Sequence, residues 1–190
     1  MFVKTLFRRF ISHLIRHCGR SDSKSKENLC LTVIKGEFSV GQEVHLADCL
    51  DDANENAKYQ RWSGPSPGVG GLESVIIGDS NPFCLDRGEG NSPNGTVLKL
   101  AVCSEGDGTN GTPIPSSQLW SFDESDNHIF AYASSDESDN TKNCIDIKQD
   151  SGYVTGGGDP FLTYQEVQLW ECIGENTNQM WDIVPADASG

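Results

Sequence analysis

A chain of 190 residues has room for one domain with a sizeable core, and not for a binding module joined to a separate enzyme. Its net charge of −14 is uneven, because the first 20 residues carry five Lys/Arg and no acid while the rest carries nine Lys/Arg against 28 Asp/Glu. Such an acidic body repels phosphate backbones, which argues against a nucleic-acid partner, and no apolar run reaches the roughly 18 residues of a membrane-spanning helix.

In chain order, residues 1–20 (MFVKTLFRRFISHLIRHCGR) admit three readings. As a secretory signal the stretch is interrupted by Arg8, Arg9 and Arg16 and lacks a small-x-small cleavage site; as an Arg-rich, acid-free leader it looks mitochondrial, a route that fits badly with many cysteine pairs. The third reading is structural. Apolar segments precede later cysteines, 74–78 before Cys84 and 128–132 before Cys144, and 10–17 lies at a comparable distance before Cys30, so a first strand is expected there. Residues 1–26 are then a basic segment and polar connector, and 27–186 the folded domain.

Past this start, short Val/Ile/Phe-rich runs alternate with turns rich in Gly, Ser, Asn, Asp and Thr, and helical periodicity is scarce. That pattern predicts an all-β sandwich or barrel. The chain repeats itself: Gln60-Arg61-Trp62, Gln118-Leu119-Trp120 and Gln179-Met180-Trp181 place three of the four tryptophans at one kind of position, 58 and 61 residues apart. Six of the seven cysteines follow the same rhythm, with Cys30 and Cys49 separated by 19 residues, Cys84 and Cys103 by 19, and Cys144 and Cys172 by 28. One disulfide per repeat is the simple assignment; it leaves Cys18 as a free thiol available for intermolecular pairing and argues for a secreted or extracellular protein. The repeats run over about 27–71, 72–127 and 128–186, and units this short need one another to bury an apolar face.

Three repeats with Cys-[Leu/Ile]-x near the start and Gln-x-Trp near the end resemble a ricin-B-type lectin domain. The resemblance implies a β-trefoil of about twelve strands in three pseudo-symmetric lobes, with Trp62, Trp120 and Trp181 packed in its core. It also implies a shallow sugar site on each lobe, built from an Asp after the first cysteine, an aromatic platform before the second, and polar residues around them. Vicinal hydroxyls need a carboxylate acceptor and amides that donate and accept, and the apolar face of a sugar ring needs a flat partner. The third repeat has the full set in Asp146, Gln168, Trp170, Asn178 and Gln179. Within Val167-Gln168-Leu169-Trp170 the two-residue period sends the aliphatics to one face and Gln168 and Trp170 to the other. The second repeat keeps Asp86, Asn94 and Gln118, a poorer site in which Ala101 replaces the platform, Lys99 the first Gln and Ser117 the Asn. The first has Thr32, Ala47 and Tyr59 at those places.

Other constellations point to less. Asp123–Asn127 recurs as Asp136–Asn140, but both lack the glycine and distal Glu of a helix-loop-helix calcium site and read as solvated turns. His13 and His17 have i, i+4 spacing; His45 and His128 stand alone. No nucleophile elbow or catalytic order is present, so no enzyme, metal or cofactor is implied. Asn94-Gly-Thr96 and Asn110-Gly-Thr112 are acceptor sequences for N-glycosylation. The expected function is binding of glycans ending in galactose or N-acetylgalactosamine, chiefly through the third repeat. Two alternatives stay open: a polysaccharide-targeting module associated with a glycoside hydrolase, and a trefoil protease inhibitor that binds no sugar.

Overall fold

The computed structural model describes residues 13–18, 28–66, 73–78, 82–88, 92–104, 114–132, 141–149 and 151–186. Their architecture is β throughout, apart from three short 3-10 turns at Glu55–Gln60, Ser116–Gln118 and Thr177–Gln179.

Lobe one comprises β1 (His13–His17), β2 (Leu29–Val33), β3 (Val44–Asp48) and β4 (Trp62–Ser63). Lobe two follows with β5 (Glu73–Ser74), β6 (Ile76–Ile77), β7 (Phe83–Asp86), β8 (Thr96–Val97), β9 (Lys99–Val102) and β10 (Leu119–Asp123). Lobe three has β11 (His128–Tyr132), β12 (Lys142–Ile147), β13 (Val154–Thr155), β14 (Thr163–Tyr164), β15 (Val167–Glu171) and β16 (Trp181–Pro185). Joining β5 to β6 and β8 to β9, each broken at one residue, and setting aside the hairpin β13–β14 leaves the twelve strands of a trefoil. The last strand of each lobe pairs antiparallel with the first of the next, β4 with β6, β10 with β11, and β16 with β1, which closes the ring. In that last pair His13 lies opposite Pro185 and His17 opposite Trp181; residues 10–12 lie outside the described residues.

The threefold repetition is clearest in the core. Trp62, Trp120 and Trp181 are fully buried, and each indole N–H donates to the carbonyl after the lobe's first cysteine: Leu31 at 2.8 Å, Leu85 at 3.0 Å and Ile145 at 2.9 Å. An indole buries a large apolar body but must satisfy its one donor, and this bond does so identically in every lobe. The aliphatic faces of β2, β3, β9, β12 and β15 fill the space between the indoles, with Leu31, Leu46, Leu100, Ile145 and Leu169 almost wholly buried.

Each lobe is tied twice near its second cysteine. The bridges Cys30–Cys49, Cys84–Cys103 and Cys144–Cys172 pair within lobes. Beside each, the Gln of the Gln-x-Trp motif clamps the backbone on either side of the second cysteine. Gln60 accepts from Leu50 N and donates to Asp48 O, Gln118 accepts from Ser104 N and donates to Val102 O, and Gln179 accepts from Ile173 N and donates to Glu171 O. Cys18 is the free thiol, as expected; burial and the neighbouring Asp182 push its pKa up to about 11, which holds it in the neutral form.

Candidate functional site

Strands β12 and β15 pair residue for residue from Asn143↔Glu171 to Ile147↔Val167, which sets Asp146 opposite Gln168. Residues opposite each other in an antiparallel pair share a face. Val167 and Leu169 point into the core, so Gln168 and Trp170 point out, and Trp170 is 37% exposed although it belongs to a bulky, core-seeking type. Asp146 lies nearly covered beside this indole face.

The Asp146 carboxylate is held by amides. Gln168 Nε2 donates to Oδ1 at 3.1 Å and Asn176 Nδ2 to Oδ2 at 3.3 Å. Burial raises its pKa above the ordinary carboxylate value, and the amides of Gln168, Gln179 and Asn176 pull the other way. An ionised carboxylate offers about four acceptor positions. Two amides, one on each oxygen, leave acceptor positions uncommitted.

The structure sorts the expected site residues into two kinds. Asp146, Gln168 and Trp170 share the outer face, and Asn178 is half-buried on the adjoining 3-10 turn with its side-chain amide free of any hydrogen bond among the described residues. Gln179 is different: it is fully buried and its amide is spent on Ile173 and Glu171, so it braces the strand and presents nothing to a ligand. The repeat itself carried that signal, since the same Gln clamps lobe one, where Thr32 stands in place of the Asp. Asn176 is a partner of Asp146 that sequence reasoning missed. It caps the Thr177–Gln179 turn by accepting from Asn178 N at 3.1 Å while its other atom holds Asp146. The cue was available in the preference of Asn for N-cap positions.

The poorer site of lobe two is rearranged. Asp86 accepts from Ser117 Oγ, Gln118 Nε2 and Gly88 N, and Ala101 provides no platform opposite Cys84. Gln118, like Gln179, serves as a clamp. Asn94 does not complete this site; its Oδ1 accepts from Glu171 N at 2.7 Å, on the strand that carries Trp170. In lobe one Thr32 replaces the acid, is wholly buried and accepts from Gln60 Nε2.

That contact from Asn94 is part of a larger arrangement along the outer edge of β15. Gln165 exchanges backbone bonds with Leu46, Val167 N donates to His45 Nδ1 at 3.1 Å, Leu169 O accepts from Gly95 N at 2.8 Å, and Glu171 N donates to Asn94. Gly95 reaches this point with φ +90, a conformation side chains rarely adopt. Two side chains, His45 from lobe one and Asn94 from lobe two, thus stand in for missing strand partners. His45 is almost wholly buried and stacked on Tyr164, and burial, only partly offset by Glu43 and Glu166, lowers its pKa.

The remaining candidates hold structural places. Asp123 Oδ1 accepts from Ser125 N and Oγ, a capped turn, and Asp136–Asn140 and Asn110 lie outside the described residues. His17 Nε2 bonds the Thr177 carbonyl. Among the described residues the cluster with metal-ligating spacing is His128, Cys144 and Cys172, and both its sulfurs form a disulfide.

A model of the ricin-type beta-trefoil lectin domain matches residues 19–155. The chain belongs to this family of carbohydrate-binding domains. The match ends before β15, so this lectin's third-lobe strand and its Trp170 lie beyond the matched span. No curated protein matches the sequence. Among solved structures the lectin is similar to ThreeFoil, a designed threefold-symmetric protein, at 16% identity with a TM-score of 0.56 over 91% of this chain and 97% of that one. It is also similar to a mutant C-terminal domain of an earthworm lectin solved with 6'-sialyllactose (14% identity, TM-score 0.54, 92% and 98% covered). The C-half of the earthworm R-type lectin solved with GalNAc is similar at 12% identity and a TM-score of 0.51, with 92% and 97% covered. Identities this low speak for the trefoil fold alone.

Proposed function

We propose that this lectin binds terminal galactose or N-acetylgalactosamine through lobe three, with the ring stacked on Trp170. A hydroxyl donates to a remaining acceptor position of Asp146, and Asn178 and Gln168 supply the adjoining amide contacts. The observation that carries the reading is a partly exposed indole beside a carboxylate that two amides hold in place. That pairing of a flat apolar surface with a fixed acceptor suits a ring having one apolar face and vicinal hydroxyls. An earthworm relative of the same fold was solved with GalNAc, which supports the choice of sugar class. Three disulfides support an oxidising, extracellular setting in which glycoprotein, glycolipid or polysaccharide glycans are the partners.

Calorimetric titration with galactose and N-acetylgalactosamine, alongside a glycan array, tests this reading. Millimolar binding that is lost in Trp170→Ala, with an unchanged circular dichroism spectrum, is the expected result. Binding to no sugar on the array would remove it in favour of a trefoil that recognises protein.

A further inference from the structure

The outward row that begins at Trp170 does not end at the lobe boundary. Gln168 lies opposite Val97 of β8, so Val97 points to the same side as Gln168 and Trp170, and it is 38% exposed. Along its own chain Leu98 and Leu100 are buried, which turns Lys99 and Ala101 to the face of Val97 by the two-residue period. Val97 and Lys99 line an open groove of about 490 Å³ together with Val40, Gly41, Asp86 and Ala101. That volume falls within the roughly 300–1,000 Å³ of ligand sites. Val97 therefore borders both the Trp170 face and this groove, and a diagonal step across strands, roughly 7–8 Å, separates it from Trp170.

The charge of the groove runs against that of the molecule. In a chain of net charge −14 it is lined by Lys99 and the buried Arg87 against one carboxylate, Asp86, and among the described residues no carboxylate lies within ion-pairing distance of the Lys99 ammonium. Lys99 lies opposite Asp86 in the strand register and is bridged by Glu43 on its other side; the Asp86 carboxylate is turned to Ser117, Gln118 and Gly88 N. Val97 and Val40 supply exposed apolar surface of the kind the C–H face of a sugar covers.

We infer that the lobe-three site continues over lobe two and takes an oligosaccharide rather than a single ring. The terminal sugar stacks on Trp170, the next ring crosses Val97, and an anionic group on that inner portion, sulfate or carboxylate, meets Lys99. This extension rests on the lobe-three reading proposed above, and it makes Val97 and Lys99 specificity-determining residues supplied by the neighbouring repeat.

The test titrates galactose, lactose, lactose sulfated on its glucose ring, and lactobionate into wild type, Val97→Asp, Lys99→Glu and Trp170→Ala. Both variants of lobe two alter exposed side chains, and circular dichroism checks their folds. Wild type is expected to bind the two anionic probes about five- to tenfold more tightly than galactose, the scale of one exposed ion pair plus added contact, with the gain shrinking in high salt. Lys99→Glu should cancel that gain and leave galactose binding unchanged, Val97→Asp should weaken lactose and both anionic probes, and Trp170→Ala should lose all four. A larger gain for the sulfated probe or for lactobionate identifies which anion the groove takes. Equal binding of all probes by wild type, or a gain that survives Lys99→Glu, overturns the extension while the lobe-three site stands. Binding of none of them by wild type overturns the lobe-three reading and the extension with it.

Discussion

Lobes two and three carry the same core tryptophan, the same disulfide and the same clamping glutamine, yet their outer faces differ. In lobe two, Ser117 on the 3-10 turn donates straight to Asp86, and Pro115 at the start of that turn makes no side-chain cap. In lobe three the corresponding turn begins with Asn176, which both caps it and holds Asp146, and Asn178, at the place of Ser117, keeps its amide uncommitted. Opposite the first cysteine stands Ala101 in one lobe and Trp170 in the other. The lesson is that a repeat keeps its fold through residues facing inward and varies through a few facing outward.

The largest test of this division addresses the shared part. Trp120→Ala and Trp181→Ala should each destabilise the domain by about 3–5 kcal/mol in chemical denaturation, since each empties the core and orphans a buried carbonyl. A large inequality between the two would break the equivalence of the lobes. Next in size, Asp146→Asn should weaken sugar binding by the roughly 1.5–3 kcal/mol of a charge-assisted hydrogen bond, whereas Asp86→Asn should leave it unchanged. Because burial raises the Asp146 pKa, the stability it lends the neutral form is full below the ordinary aspartate pKa and is lost as pH rises through the folded value. By the same shift, wild-type binding should fade on acidification at a pH above the usual aspartate range. Trp170→Ala should cost roughly 0.5–1.5 kcal/mol beyond its contact area, read by calorimetry, with no change in melting.

A smaller effect concerns the seam that lobe one makes with β15. His45 has a lowered pKa in the fold, so its contribution to stability is full above about pH 6.5 and declines as pH falls through the folded value, when Nδ1 gains a proton that opposes Val167 N–H. Melting curves between pH 7 and 5 should show that decline. His45→Asn, which keeps an acceptor in place, should flatten it, leaving the share from His128, whose pKa burial also lowers. The smallest expected change is a gain: Ala101→Trp should add to lobe two a platform worth at most about 1.5 kcal/mol, seen as a second, weaker binding event on titration. Failure to appear would mean that Ser117 closes Asp86 to hydroxyls.

Much of this was legible in the residues. Cysteine spacing and the recurring Gln-x-Trp are local patterns that survive in a linear string, and the alternation around Trp170 fixed which face it occupies. What escaped depends on contacts between distant segments. That Asn94 serves Glu171, 77 positions away, and that Val97 lies opposite Gln168, follow from how two lobes meet, which no periodicity encodes. Gln179 was misplaced for the opposite reason: an amide near a sugar-binding motif reads as a ligand contact until its burial is known.

The way β15 is enclosed has a consequence for solubility. A strand displaying an indole at a protein's surface would, with its hydrogen-bonding edge bare, serve as a template for another chain to add itself, the usual route to sheet-mediated aggregation. Here β12 covers one edge, and Leu46, His45, Gly95 and Asn94 close the other. Trp170 can therefore stand open to solvent without a free strand edge beneath it.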